Sequence, residues 1–495
     1  MLSLNSSHSR LERTMSRATN YDEWKEAALA WDQATGMDKW KIEPTSTKYD
    51  HANIQFRLDE LRKLRANHDD VGLLFALNEG IHGNLGGMGN SALFEKAKFG
   101  TKKLITDYVD EVVDALLHIN SLPESDELNH ADKVDFFHRA RLCFGRSALM
   151  FSGAGSLGHF HHGVGKALIE HDLLPDVISG SSAGSVFAAL LGTHTTDELK
   201  EIFESELFQS ETDESPDQKP WGLVRPQVDP DQLRLMLEKF IPDMTFQEAY
   251  EKTGRSISVT IAPYEEHQTS RLMNAVTSPN VYIRSAVTAS CAVPGVFPPV
   301  MLIAKNVYGE AQPYLPSRRW VDGAVTDDLP AKRLSRLYAV NHYIVSQANP
   351  LSLAMLTTEK LIPLPSSTKS IMRHATREML KSSEEFSRRY LRQIPSAGQA
   401  MSMFYSVMAQ DYTGDINIVP NFNFVDPQKL LAQLSAEEIQ ELVDEGERST
   451  WPQIERIRIA TKIGRTLDHL LDHHTDHNIK KFYKKRTRST KQGTK

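Results

Sequence analysis

Val177-Ile178-Ser179-Gly180-Ser181-Ser182-Ala183-Gly184-Ser185-Val186-Phe187-Ala188-Ala189-Leu190-Leu191 is the stretch whose reading decides the fold. A short apolar, β-branched run predicts a strand over Val177–Ser179, and the apolar run after Gly184 predicts a helix. Between them Gly180 to Gly184 spell G-x-S-x-G. Small residues on both sides of Ser182 let the chain turn sharply from strand to helix and expose the serine oxygen, as in a nucleophile elbow. The competing reading is a Ser/Gly-rich helix cap.

A serine nucleophile needs a base. Arg319-Trp320-Val321-Asp322-Gly323-Ala324 offers an acid at the end of a short strand, placed to face the same sheet edge as Ser182. The same residues fit a plain Asp-Gly turn. Histidine alternatives are His159, His161, His162, His194, His267, His342 and the cluster His469, His473, His474 and His477. His342 follows Asp322, so the order Ser, acid, His of the α/β hydrolases leaves a triad open. Upstream, Leu149-Met150-Phe151-Ser152-Gly153-Ala154-Gly155-Ser156-Leu157-Gly158 predicts a strand, a Gly-rich turn and a helix starting near Gly158. Such a turn cradles a pyrophosphate or aims backbone N–H groups at an oxyanion. The nucleotide reading wants an acid about 20 residues on, at the end of a second strand. Asp172 and Asp176 both precede that strand.

Outward from these segments the texture changes twice. Residues 146–365 alternate apolar runs with helical stretches, the pattern of an α/β layer fold. Its expected strands are Leu149–Ser152, Val177–Ser179, Ile257–Ile261, Trp320–Val321 and Tyr343–Ser346. Residues 1–145 read as a charged helical domain, with helices over Tyr21–Ala34, Ile54–Asn67 and Leu104–Ile119. The Gly80–Gly89 loop lacks a preceding strand and a following Lys-Ser/Thr, so it reads as an ordinary turn. Residues 366–479 are helical again, with one strand-like run Ile416–Val419, and 480–495 form a basic tail.

Composition narrows the class. The 495 residues are 40% hydrophobic and 24% charged, which excludes wholesale disorder and fibrous chains. With 57 basic against 64 acidic residues the net charge is −7, so no global positive field recruits nucleic acid. Mean hydropathy is −0.40, and the longest apolar runs fall short of the about 18 residues needed to cross a bilayer. The N-terminus turns polar at once, unlike a secretory signal, and two cysteines make neither a disulfide framework nor a zinc site. A cytoplasmic chain of several domains is expected, free of membrane-spanning helices and able to attach peripherally.

Gly153–Gly158, Gly180–Gly184 and Asp322-Gly323-Ala324, in this order and spacing, resemble the patatin-like phospholipase family. The match continues through Ser285-Ala286-Val287-Thr288-Ala289-Ser290-Cys291-Ala292-Val293-Pro294-Gly295-Val296-Phe297-Pro298. Thr245–Tyr250, Thr277-Ser278-Pro279 and Val340–Pro350 are similar to the lipid-droplet triacylglycerol lipases of eukaryotes, which carry a comparable helical N-terminal domain. The resemblance covers roughly residues 20 to 460. It implies a three-layer α/β/α hydrolase core with helical extensions at both ends, a Ser182–Asp322 dyad without catalytic histidine, and no metal or cofactor. It further implies an oxyanion hole at Gly155, Ser156, Leu157 and Gly158, with Gly153, Gly180, Gly184 and Gly323 as the motif glycines. Two departures bear on substrate. Ala154 replaces the middle Gly of many members, and Leu157 stands where phospholipase members often carry Arg. Losing that cation removes a partner for a lipid phosphate and favours neutral acylglycerols.

The implied substrate is an acylglycerol or a phospholipid, reached at a membrane or lipid-droplet surface, with no nucleic-acid partner. Lys369–Arg392 holds seven basic and three acidic residues with apolar residues at helical spacing, and Met401–Met408 is rich in Met and Phe. Both suit an interfacial contact or an acyl-groove wall, or else ordinary helix packing. The H-x-x-x-x-D pattern associated with lysophospholipid acylation occurs at His130–Asp135 and His171–Asp176, about as often as chance provides. The alternatives are a phospholipase A or lysophospholipid acyltransferase, a non-enzymatic lipid-surface scaffold, and a nucleotide-binding protein using Gly153–Gly158.

Overall fold

The structure, a computed structural model, describes residues 2–124, 128–204, 230–265, 269–294, 296–349, 414–421 and 434–492. They fall into two compact units, Met1–Ser147 with Ile454–Lys495, and Ala148–Gln453.

The first unit is helical: α1 Leu2–Arg17, α2 Tyr21–Thr35, α3 Met37–Ile42, α4 His51–Ala66, α5 Asp70–Gly80, α6 Lys103–Ser121, α7 His130–Phe144 and, from the far end of the chain, α17 Ile454–Gln492. Short polar side chains start these helices. Asn20, Asp50 and Asp69 each accept a backbone N–H of the first turn, and Asn129 with Asp132 forms a capping box. The most apolar face belongs to α6, where Leu104, Ile105, Tyr108, Val112, Leu116 and Ile119 are buried. They share one core with Phe136 and Phe137 of α7 and Ile463, Leu467 and Leu470 of α17. Ion pairs Arg141–Asp468 (2.5 Å) and Lys462–Asp110 (2.6 Å) fasten α17 to α7 and α6.

The second unit is built on a mixed sheet in the order β4-β3-β2-β1-β8-β9. Its strands are β1 Arg146–Phe151, β2 Val177–Gly180, β3 Ser256–Pro263, β4 Arg271–Asn274, β8 Val340–Ser346 and β9 Ile416–Ile418. β1, β2 and β3 run parallel, as do β8 and β9, while β4 is antiparallel to β3. Successive residues of β4 enter different cores. Leu272 joins Met150, Val177 and Leu334, whereas Met273 joins Ile257, Ala189 and Val287. Leu334 lies on Ala331–Tyr338, Ala189 on Ala183–Thr193 and Val287 on Ile283–Ser290. Helices therefore cover both faces, which is the expected three-layer arrangement, and each fully buried aliphatic side chain contributes roughly 1.5–3 kcal/mol.

Every strand expected from the sequence is present within two or three residues at each end. Three further strands are not signalled: edge strand β4, and a two-stranded ribbon of β5 Ile303–Lys305 and β6 Ala311–Pro313. Three or four residues are too few to display a period, and β6 is exposed throughout.

The described part of the segment expected as a C-terminal extension, 366–479, is shared between the units. Ala436–Thr450 packs on His159–Glu170 of the second unit, and α17 joins the helical unit. The first contact is very close: a Cβ on Gly163 would sit 1.9 Å from the Val443 carbonyl, and one on Gly446 2.2 Å from that of Phe160. Only glycine allows backbones this near. The backbone of α17 carries the expected basic tail in helix as far as Gln492. Lys369–Arg392 and Met401–Met408 lie outside the described residues.

Candidate active site

The meeting of two strands on one edge of β3 assembles the site. β2 pairs with β3 from Ser256 to Val259, ending with Gly180 opposite Val259. β7, Trp320–Asp322, enters antiparallel and pairs from Pro263 back to Ile261, ending with Asp322 opposite Ile261. β4 occupies β3 from Ser258 to Ile261, overlapping both, so β2 and β7 share the other edge. Their ends thus face each other two β3 residues apart, about 7 Å. Ser182 follows one end and Asp322 stands at the other.

Ser182 has φ 51° and ψ −130°, left-handed backbone for a non-glycine residue, which costs about 1–3 kcal/mol. Its neighbours hold it there. The Ser182 N–H donates to Ser290 Oγ (2.9 Å), and Ser290 Oγ donates to the Thr260 carbonyl (2.8 Å). The Ser182 carbonyl accepts from Ser185 Oγ (2.6 Å) and Cys291 Sγ (3.4 Å). A Cβ on Gly184 would lie 2.5 Å from the Phe151 and Ser152 carbonyls, so the turn presses directly on the end of β1. α9, Ala183–Thr193, begins immediately after the serine and brings its N-terminal end to the site.

The Asp322 carboxyl accepts the Ala324 N–H (2.8 Å), and the Ser182 hydroxyl lies within reach to donate to it. Burial pushes its pKa up to about 7, against the opposing pull of those two donors. Burial and the Asp322 carboxyl push the Cys291 thiol up to about 12, so it stays protonated as a donor. Ser290 lies in the stretch Ser285–Pro298, and nothing in its local sequence marks it for this role. Ser290→Ala leaves the Ser182 N–H without its buried acceptor, a loss of about 1–3 kcal/mol. We expect kcat to fall about tenfold in steady-state assays of this variant.

The Gly-rich turn lies beside the pair. A Cβ on Gly153 would fall 3.4 Å from the Ser182 Cβ and 3.1 Å from that of Ala324. Gly155–Gly158 form one 3₁₀ turn leading into α8, His159–Glu170. Gly155 is exposed at φ 56°, Ser156 half-buried, Leu157 and Gly158 buried. The Leu157 N–H already donates to the Ala154 carbonyl (3.2 Å), which ties one of the four expected oxyanion donors into the turn itself.

Among the described residues no histidine hydrogen-bonds Ser182 or Asp322. His161 is buried between Ser346 Oγ (2.7 Å) and the Ser152 carbonyl (2.9 Å), and burial lowers its pKa to about 3. It therefore works as a neutral brace between β1 and β8. His342 lies on β8 four residues before Ser346, about 13 Å back along the strand. His194 caps the end of α9, and His469, His473 and His474 belong to the helical unit. His267 and the side chain of His477 lie outside the described residues. Of the two H-x-x-x-x-D patterns, His130–Asp135 sits on α7, and His171–Asp176 precedes β2, opposite the end that carries Ser182. The described residues contain no group of three side chains suited to a metal ion.

Residues 149–334 match the family model of the patatin-like phospholipases. This is a patatin-like phospholipase domain. Residues 1–142 match a domain of unknown function, DUF3336, so both parts of the resemblance read from the motifs are present. Triacylglycerol lipase SDP1L of Arabidopsis thaliana is 34% identical over 474 residues, covering 92% of this chain and 58% of that protein. Triacylglycerol lipase 4 of Saccharomyces cerevisiae is 34% identical over 468 residues, covering 89% and 50%. A patatin-like phospholipase domain-containing protein of Lodderomyces elongisporus is 32% identical over 486 residues, covering 93% and 59%. The chain thus spans between half and three fifths of the length of these relatives. Within the patatin domain, the elbow, the Gly-rich turn and the Asp-Gly end of β7 converge on one point.

Proposed function

We propose that this chain is a serine-dependent lipid acyl hydrolase that releases fatty acids from acylglycerols, triacylglycerol foremost, through a Ser182–Asp322 dyad. The observation that carries the reading is the strained Ser182 brought, at the meeting of β2 and β7 on β3, within reach of the buried Asp322 carboxyl. Ser182 Oγ attacks the ester carbonyl while Asp322 takes its proton. Backbone N–H groups at Gly155, Ser156 and Gly158, with the start of α9 behind the serine, stabilise the tetrahedral oxyanion, each donor by about 3 kcal/mol. Asp322 returns the proton to the departing alcohol, then takes one from the water that hydrolyses the acyl-serine.

A neutral substrate is favoured by the apolar Leu157 in the turn and by the triacylglycerol lipases among the relatives. No described helix is long and apolar enough to cross a membrane. We read the chain as a cytoplasmic protein that meets lipid peripherally. The test compares turnover of emulsified triolein and dioleoyl phosphatidylcholine by wild type and Ser182→Ala. Ser182-dependent release from triolein supports the proposal, release mainly from the phospholipid replaces it with a phospholipase A, and no dependence on Ser182 ends it.

Asp322 must be ionised to act as the base. With its pKa raised to about 7, kcat/KM on a water-soluble ester is expected to fall about tenfold per pH unit below neutrality. A profile flat between pH 5 and 9 would remove Asp322 from that role.

A further inference from the structure

A second buried carboxyl stands beside the dyad, and the proton transfers do not use it. Asp328 is fully buried, six residues beyond Asp322. Its Oδ1 accepts the Gly153 N–H at 2.7 Å and its Oδ2 faces Asn349 Nδ2 at 3.4 Å. Gly153 opens the Gly-rich turn and sits against Ser182, as its missing Cβ shows. Gly323 and the short helix α14, Ala324–Asp327, are all that separate the two aspartates. Its N-terminal side carries the base and its C-terminal side carries the group that grips the turn. One segment therefore sets both the proton acceptor and the place where the turn leaves β1.

Resting on the reading of Ser182 and Asp322 given above, we propose that Asp328 is a positioning residue, which through the Gly153 amide holds the Gly-rich turn in register with the nucleophile. Its oxygen, not its charge, is what the turn requires. Two carboxylates this close in a buried site do not both ionise readily, and Asp322 must be the one that does. Burial raises the Asp328 pKa well above the ordinary carboxylate range, and the nearby Asp322 and Asp327 add to that rise. Asp327 for its part is paired with Arg333 at 3.2 Å, with Lys332 also near, so the cations on this side face Asp327. A neutral Asp328 presents its carbonyl oxygen to Gly153 without competing for the proton that Asp322 must carry. An asparagine has the same shape and the same acceptor, whereas alanine has neither. A turn displaced by a fraction of an ångström misaligns the oxyanion donors, and such misplacement costs on the order of 10²-fold in rate.

The test uses the full chain and a water-soluble p-nitrophenyl ester, so that no lipid interface enters. Asp328→Ala is expected to lower kcat about 100-fold with KM changed less than about threefold, while Asp328→Asn recovers kcat to within about threefold of wild type. The acid limb of the pH profile should stay in place in Asp328→Asn, since no charge is removed. Wild-type kcat in Asp328→Ala overturns the proposal. So does an Asn variant as slow as the Ala variant with an unchanged melting temperature, or an acid limb moved to lower pH. Equal loss of kcat and melting temperature in both variants assigns Asp328 to stability alone and overturns it too. Ser182→Ala, run alongside, separates the premises: if it retains turnover, the serine reading itself fails and the positioning role falls with it.

Discussion

Ser182→Ala reduces hydrolysis of both soluble and emulsified esters by at least about 10⁴-fold, because nucleophile and base act as one unit and the residual rate belongs to the oxyanion donors alone. Ser182→Gly is equally inactive but differs in stability, and the difference reports the elbow. At φ 51° and ψ −130° a side chain is strained, and removing it recovers about 1–3 kcal/mol less the chain entropy that glycine loses on folding. Scanning calorimetry should therefore show Ser182→Gly melting a few degrees above Ser182→Ala. Equal melting temperatures would mean that the backbone at Ser182 carries no strain to release, and activity retained in either variant would remove Ser182 as the nucleophile.

Asp322→Asn is the second large effect. Turnover falls about 10³-fold or more, because the amide cannot accept the serine proton, while stability at neutral pH rises. The direction follows from proton linkage. An ordinary aspartate has its pKa near 3.8, and burial raises that of Asp322 to about 7 in the folded protein. Between those values the native state holds the proton more tightly than the unfolded chain, so stability declines as pH climbs from 4 to 7. Above about pH 7 the buried charge costs on the order of 4 kcal/mol, which the variant escapes. The gain in melting temperature of Asp322→Asn over wild type should be larger at pH 8 than at pH 5. A gain independent of pH would show that Asp322 titrates normally. An active Asp322→Asn would transfer the base role to another group.

The parts of this site that announced themselves are those whose chemistry is local. Gly180 to Gly184 favour a sharp turn over a helix cap, Val177–Ser179 reads as a short buried strand, and Asp322 follows Trp320-Val321 where β7 ends. Ser290 and Asp328 were silent because their meaning lies in partners 108 and 175 residues away, Ser182 and Gly153, and neither residue has a neighbour that marks it. His161 sits in a motif-rich segment, yet its ring is bonded to Ser152 and Ser346. At fold level, the period of α17 shows that Ile463, Leu467 and Leu470 face one way, but a 3.6-residue repeat says nothing about which core receives them. That they join α6 and α7 rather than the unit that precedes them in the chain is a tertiary choice.

Because α17 completes a core begun by α4–α7, the two units cannot mature in the order in which they are written. The ribosome releases Leu116, Phe136 and Phe137 early, and their partners Ile463, Leu467 and Leu470 follow about 330 to 350 residues later, roughly 16–70 s at ordinary elongation rates. The second unit, contiguous from Ala148 to Gln453, is finished inside that interval. For that time the nascent chain carries a sticky, half-built bundle ahead of a nearly complete second unit, the kind of exposed apolar surface that chaperones recognise.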